Sequence, residues 1–253
     1  MQAGFVFSKF AGRLANLVEL SPDDLDLLAK LPSSIDRYGH RHHILRRGGT
    51  STHCHLLLQG YLCWLDLDSR DDKIVSIHVP GDVPDLFTIH EARLDYNLVS
   101  VGPVVIASVP HDVLRDLCGL SSSLAHALLL LILGDAAGSR NWIVNLSSRD
   151  ALQRVAHLLC EIFVRLRAVG LARDFRIPSP FTQSDLGAAC SLSALHVDRT
   201  IQELRRSNLL QWRSRIITIT DWNGLVRLAR FNPAYLRLPA HVTVEPTETT
   251  KMH

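Results

Sequence analysis

Cysteine is scarce and never in a chelating spacing: five in 253 residues, an odd number, with no C-x-x-C. That excludes a disulfide framework and points to reduced thiols in a cytoplasm. Catalytic signatures are missing too. There is no P-loop, no H-E-x-x-H and no G-x-S-x-G, so no enzyme is indicated and no catalytic residue is assigned. Net charge is only +2, so a polyanion would have to be met by local clusters rather than by a globally basic protein. Long apolar runs are lacking as well; the most apolar, Ala127 to Leu133, is too short to span a bilayer. Met1 to Leu20 mixes Lys9, Arg13 and Glu19 into its apolar residues, unlike a secretory signal, so a cytoplasmic protein with no membrane partner is expected. What the chain does have is apolar content, 47%, enough for two cores at this length.

The most informative stretch runs from Thr182 to Arg206. Thr182, with Asp185 three residues on, makes a short capping box for a first helix, in which Leu186 and Ala189 face inward. Gly187 or Ala188 lets a second helix approach closely, and Ser191 ends the first helix where Gly is more usual. Ser193 caps a second helix whose Val197, Ile201 and Leu204 share one apolar face, leaving Ala194, His196, Arg199, Thr200 and Arg206 pointing elsewhere. Two short helices around a tight turn, the second basic, are the layout of a helix-turn-helix DNA reader; a plain surface helical hairpin is the competing reading. The next thirty residues favour the reader. Leu209 to Trp212 and Ile216 to Thr220 flank Arg213-Ser214-Arg215, predicting a hairpin or wing with a basic tip suited to phosphate. Asp221 caps a closing helix, about Trp222 to Phe231, stopped by Pro233.

Residues 40–110 alternate in the manner of strands: Cys54–Leu58, Tyr61–Leu65, Lys73–Val79, Asn97–Val101 and Val104–Ser108. Turn signals at Gln59-Gly60, Asp71-Asp72, Pro80-Gly81-Asp82 and Gly102-Pro103 separate them, predicting a β-barrel or jelly roll. A long helix comes next, Ser121 to Leu146, capped by Ser121 or Ser122. Its Leu129, Ile132, Ala136, Ser139, Ile143 and Leu146 step by three and four as in a coiled-coil seam, while Leu124, Leu128 and Leu131 form a stripe suited to packing on the barrel. Ser147 to Asp150 reads as a hinge, and Ala151 to Val169 as a further amphipathic helix ending at Gly170.

In this order of elements the chain resembles the Crp/Fnr family of bacterial transcription regulators, over about residues 40–236. The family motif is close to T-x-x-E-[IL]-[AG], four or five residues, then S/T-R-E-T-V-x-R; the chain supplies Thr182, Asp185, Leu186, Gly187, Ser193, Val197 and Arg199 at the matching positions. Ala194 and Leu195 stand where the best-known members place a base-reading Arg-Glu pair, so only Arg199 of that trio carries over and the usual operator is not implied. The run from Leu195 to Arg205 resembles an alphaproteobacterial branch. The resemblance implies an α+β fold with an effector-sensing barrel at residues 1–120, a dimerisation helix and hinge at 121–148, a winged helix-turn-helix domain at 149–237 and a disordered tail at 238–253. It implies a cytoplasmic homodimer on palindromic double-stranded DNA, with RNA polymerase as a partner. The DNA-binding set is Thr182, Gln183, Ser193, Ala194, Leu195, His196, Arg199, Thr200, Arg205, Arg213 and Arg215, and the seam residues above carry dimerisation.

Family members that bind a cyclic nucleotide carry P-G-D-x-x-G-E-L and, about ten residues later, Arg-Ser-Ala. Here Pro80-Gly81-Asp82 is followed by Val83-Pro84-Asp85-Leu86, and the Arg-Ser-Ala positions fall near Leu94-Asp95-Tyr96. An Asp facing a phosphate is repulsive and loss of the Arg forfeits a charge-assisted pair. The candidate effector pocket is therefore Asp82, Asp85, Arg93 and Asp95, with Arg93 reaching the site if the register slips by one, and an effector other than a cyclic nucleotide is expected. A cAMP-type response and an effector-free, constitutive DNA binder remain the alternatives. Cys54, Cys63, Cys118, Cys160 and Cys190 are too scattered for an iron-sulfur cluster, and Cys118 and Cys160 read as small apolar fillers. His40, His42, His43, His53, His55 and His78 crowd the strand region, with His53 and His55 on one side of a strand, but spacing fixes no third ligand. No metal and no cofactor is assigned.

Overall fold

The computed structural model describes residues 6–67, 72–91 and 93–238. The expected tail lies outside them except for Leu238, and Asp71 of the expected Asp71-Asp72 turn also lies outside them. Two short helices not anticipated from the sequence open the chain: α1 (Ser8–Ala15) and α2 (Pro22–Ala29), the latter held by a Ser21–Asp24 capping box. An antiparallel sheet comes next, built from β1 (Ser34–Tyr38), β2 (His43–Leu45), β3 (His53–Asp66), β4 (Lys73–His78) and β5 (Asn97–Pro110) in the order β1-β5-β3-β4, with β2 beside β5. The hydrogen-bonded path does not close among the described residues, an opening that the jelly-roll architecture accommodates.

The expected turns at Gln59-Gly60 and Gly102-Pro103 are not turns. β3 and β5 each run unbroken for 14 residues, and the register between them shifts on either side of Gln59. Gly60, at φ +86°, sits in the left-handed region against the backbone of Pro103, where a Cβ has no room. A glycine that bends a strand at a bulge and one that closes a hairpin carry the same local signal.

Three helices continue the chain: α3 (His111–Leu120), α4 (Ser122–Ser148) and α5 (Ala151–Ala168). Ser121 caps α4 by accepting from the Leu124 amide. Along α4 the barrel-side stripe Leu124, Leu128 and Leu131 is buried with Phe10 and Leu14 of α1 and Leu114 and Leu117 of α3. On other faces Leu129 is 52% and Ile143 66% exposed, with Leu133 and Val144 also open. Contrary to the expectation drawn from the Ala127–Leu133 run, α4 as a whole is long and apolar enough to cross a membrane, but its barrel-side stripe is spent on packing.

The C-terminal part consists of β6 (Arg176–Pro178), α6 (Gln183–Cys190), α7 (Ala194–Arg206), β7 (Leu210–Arg213), β8 (Ile216–Ile219) and α8 (Trp222–Ala229), its strands ordered β6-β8-β7. It does not stand apart from the sheet. From Tyr61 to Leu65 every residue of β3 is buried: Tyr61, Cys63 and Leu65 join the core of the C-terminal part, while Leu62 and Trp64 fill the inside of the sheet. Side chains alternate across a strand, so an unbroken buried run means that both faces are covered.

Candidate nucleic-acid interface

Local chemistry sets the two reader helices. Thr182 accepts from the Asp185 amide and Asp185 from the Thr182 amide, closing the expected capping box on α6. Ser191 takes φ +53° at the C-cap, the left-handed geometry usually given to glycine. Ser193 caps α7 through the His196 amide. Of the two small residues in α6, Gly187 makes the close approach: a Cβ there would lie 2.5 Å from the Leu192 carbonyl oxygen. Gly187→Ala must therefore push the turn apart, and we expect it to lower stability by about 1–3 kcal/mol, the usual cost of overpacking, measured by urea unfolding. Unchanged stability would mean that the turn has slack.

The inner face of α7 is Val197, Ile201 and Leu204, as expected. Ser193, Ala194, Leu195, His196 and Arg199 are exposed together along one end and side of the helix. Thr200 corrects the sequence reading. It is 4% exposed, and its hydroxyl donates to the His196 carbonyl, so it packs under the helix instead of facing a ligand. Gln183 is exposed, with its amide donating to Asp198 at 2.9 Å, which turns a carboxylate toward α6. Thr182 has its hydroxyl engaged with Asp185, and Arg205 is half-buried against Gln202.

The wing places Arg213 and Arg215 at an exposed tip. Arg213 pairs with Ile216, leaving a two-residue loop in which Ser214 and Arg215 have φ +48° and +63°. Such turns normally take Asn-Gly, so seating an arginine there costs about 1–2 kcal/mol of backbone strain. One of the two strained residues, Arg215, thus carries part of the tip charge.

Several contacts joining the reader to the sheet have no local sequence signal. Asp185, besides capping α6, accepts from Arg41 at 2.7 Å, and Tyr61 donates to the Pro178 carbonyl at 2.5 Å. Asp82, the remnant of the P-G-D run, is buried between Arg165 of α5 at 2.6 Å and Arg13 of α1 at 3.1 Å, with His78 at 3.7 Å. Burial opposes its ionisation, yet Arg13, Arg165 and His78 outweigh that and hold the carboxyl well below the usual carboxylate range. Arg165 also donates to Glu161 and to the Ile77 carbonyl, and Tyr235 donates to Glu161. At the expected hinge, Arg149 donates to the carbonyls of Ala229 and Arg230 at the end of α8, and Arg154 to those of Arg149 and Cys190. The joint is thus wired to the reader.

These pairings correct two of the four pocket residues. Asp82 and Asp85 are engaged inside the protein instead: Asp82 by the two arginines, and Asp85, fully buried, by the His55 backbone at 2.8 Å and the His55 ring at 2.6 Å. Arg93 and Asp95 do line a cavity of about 820 Å³ between β4 and α4 whose wall also includes Phe87, Glu91, Ile132 and Ser139. Burial pushes the thiols of Cys63 and Cys190 up to about 12, which keeps them protonated at neutral pH. Among the described residues no group of three or more His, Cys, Asp or Glu is placed to hold a metal.

Comparison with known proteins agrees with this architecture. A Crp-like helix-turn-helix domain matches residues 153–228. The chain is 26% identical over 172 residues to an anaerobic regulatory protein of Haemophilus influenzae, covering 68% of this chain and 66% of that protein. It is 26% identical over 163 residues to a fumarate and nitrate reduction regulatory protein of Yersinia pestis, covering 64% of each. The matches thus span just under two thirds of those relatives. In fold it is similar to FixK2 from Bradyrhizobium japonicum, with a TM-score of 0.70 at 20% identity over 78% of this chain and 98% of that one. It is also similar to a CRP-family transcriptional regulator of Thermus thermophilus, with a TM-score of 0.62 at 15% identity over 77% of this chain and 96% of that one. Residues 153–228 are thus matched as a Crp-like helix-turn-helix domain, and the chain as a whole is similar in sequence and fold to transcription regulators of the Crp/Fnr type.

Proposed function

We propose that the protein is a cytoplasmic, sequence-specific DNA-binding regulator of transcription that works as a homodimer on a palindromic site. The observation that carries the reading is the exposed α7 face, with Arg199 free of the core and an arginine-tipped wing beside it. In this reading α7 enters the major groove, Arg199 pairs with a guanine edge, and Arg213 and Arg215 meet phosphates. The open apolar face of α4, including Leu129 and Ile143, pairs with its copy in a second chain. A twofold dimer then sets its two α7 helices about one DNA turn apart, roughly 34 to 36 Å. RNA polymerase is the partner such a regulator would address, and no catalysis is assigned.

The input in this reading is the cavity lined by Arg93 and Asp95. Asp82 engages Arg13 and Arg165, and the carboxylates of Glu91 and Asp95 line the cavity along with Arg93, so a ligand other than a cyclic nucleotide suits it better. Because α4, the hinge and α8 are joined through Arg149, an event in the cavity can alter the spacing of the two readers.

Arg199→Ala is expected to cost about 1–3 kcal/mol in binding and to relax one position of each half-site, measured by competition against single-base variants. Equal weakening on every sequence would reduce Arg199 to a phosphate contact. Arg213→Ala and Arg215→Ala are expected to give that uniform loss, with a salt slope shallower by about 0.9 per phosphate contact.

A further inference from the structure

Leu195 is 62% exposed in the first turn of α7, on a helix that buries its other large apolar side chains, Val197, Ile201 and Leu204. Among the described residues, the core of the C-terminal part takes Val197, Ile201 and Leu204 from this helix and leaves Leu195 out. It lies four residues before Arg199, so the two side chains share one face of α7, about 6 Å apart. Base pairs rise about 3.4 Å per step, so a side chain one helical turn from Arg199 addresses a base pair one or two steps from the one Arg199 meets. Leucine has neither donor nor acceptor. In the major groove the apolar feature open to such a side chain is the C5-methyl group of thymine.

We propose that Leu195 is a specificity-determining residue that reads a thymine methyl group, flanking the base pair read by Arg199. The inference rests on the DNA-reading function given above. Ala194, exposed beside it, leaves the methyl room, and Asp198, the nearest carboxylate on α7, is held toward Gln183. Each half-site then carries a thymine within two base pairs of the guanine, the methyl packing against the Leu195 side chain.

The test uses the full chain and a duplex selected from a random pool, with each thymine replaced singly by deoxyuridine, which removes only the methyl. One thymine per half-site, within two base pairs of the position relaxed by Arg199→Ala, should lose affinity about four-fold, the value of burying one methyl group. In Leu195→Ala that loss should vanish, while Leu195→Met should keep it; 5-methylcytosine at the same position should bind better than cytosine. If no thymine is sensitive, or if the sensitivity persists in Leu195→Ala, the inference is overturned and the DNA-reading function stands. If the pool yields no enriched sequence, both fall together.

Discussion

Arg165→Met is expected to destabilise the protein by about 3–5 kcal/mol, because it removes the cation shared by two buried carboxylates, Asp82 and Glu161, and leaves both only partly compensated. Arg165 is 9% exposed and Asp82 4%, so little solvent screening weakens their 2.6 Å contact. Without the guanidinium, Asp82 keeps Arg13 and His78, and Glu161 keeps Tyr235, but the Ile77 carbonyl loses its donor. Replacing Asp82 by Asn in the same chain should return part of the loss, since it removes the stranded charge. A double-mutant cycle by urea unfolding reads this directly. The pH dependence has a defined sign. Asp82 has its pKa lowered in the folded state, so its contribution is complete above the unfolded carboxylate value, about 3.9, and disappears as pH falls through the folded value. Arg165→Met should therefore lose stability at neutral pH and show less further loss on acidification than the parent. A loss below about 1 kcal/mol at neutral pH would mean that the cluster does not hold the two parts together.

Charge placed on the open face of α4 is expected to act on assembly rather than on folding. Leu129 and Ile143 lie on one stripe of the helix and are more than half exposed, so Leu129→Glu with Ile143→Glu leaves the barrel-side packing through Leu124, Leu128 and Leu131 intact. Two glutamates facing their copies across a seam repel and carry a desolvation penalty. The double variant should sediment as a monomer with an unchanged circular dichroism spectrum. Linked binding of two half-sites is worth roughly 10² to 10⁴ over one, so affinity for a two-half-site duplex should fall by that factor while a single half-site is bound as before. A variant that stays dimeric would place the seam elsewhere on the molecule.

How much of the fold was legible in the sequence depends on the range of the interactions concerned. Thr182 with Asp185, Ser193 and Asp221 act on amides within three residues, so their spacing alone marked where helices begin. The face of α7 was mostly legible because apolar periodicity is local, and the exception is Thr200, a short polar side chain that satisfies its hydroxyl on the helix backbone and can be buried. Gly60 and Gly102 misled because a bulge in a long strand and a turn between short ones both call for φ above zero. The docking of the reader on the sheet was invisible. Arg41 with Asp185 and Asp82 with Arg165 join residues 144 and 83 positions apart, and no local pattern signals such a pair. For the same reason Asp82, read as facing an effector, faces Arg165 instead.

In the proposed function the protein reads DNA as a twofold dimer with α7 in the groove. Selection of bound fragments from a random duplex pool by the purified full chain, with and without added cyclic nucleotide, tests it most directly. The expected result is an enriched palindrome whose half-sites repeat one DNA turn apart, with a guanine in each, the same sequence and affinity in both conditions, and relaxation of that guanine in Arg199→Ala. Recovery of no enriched sequence, or of one without twofold symmetry, would contradict it.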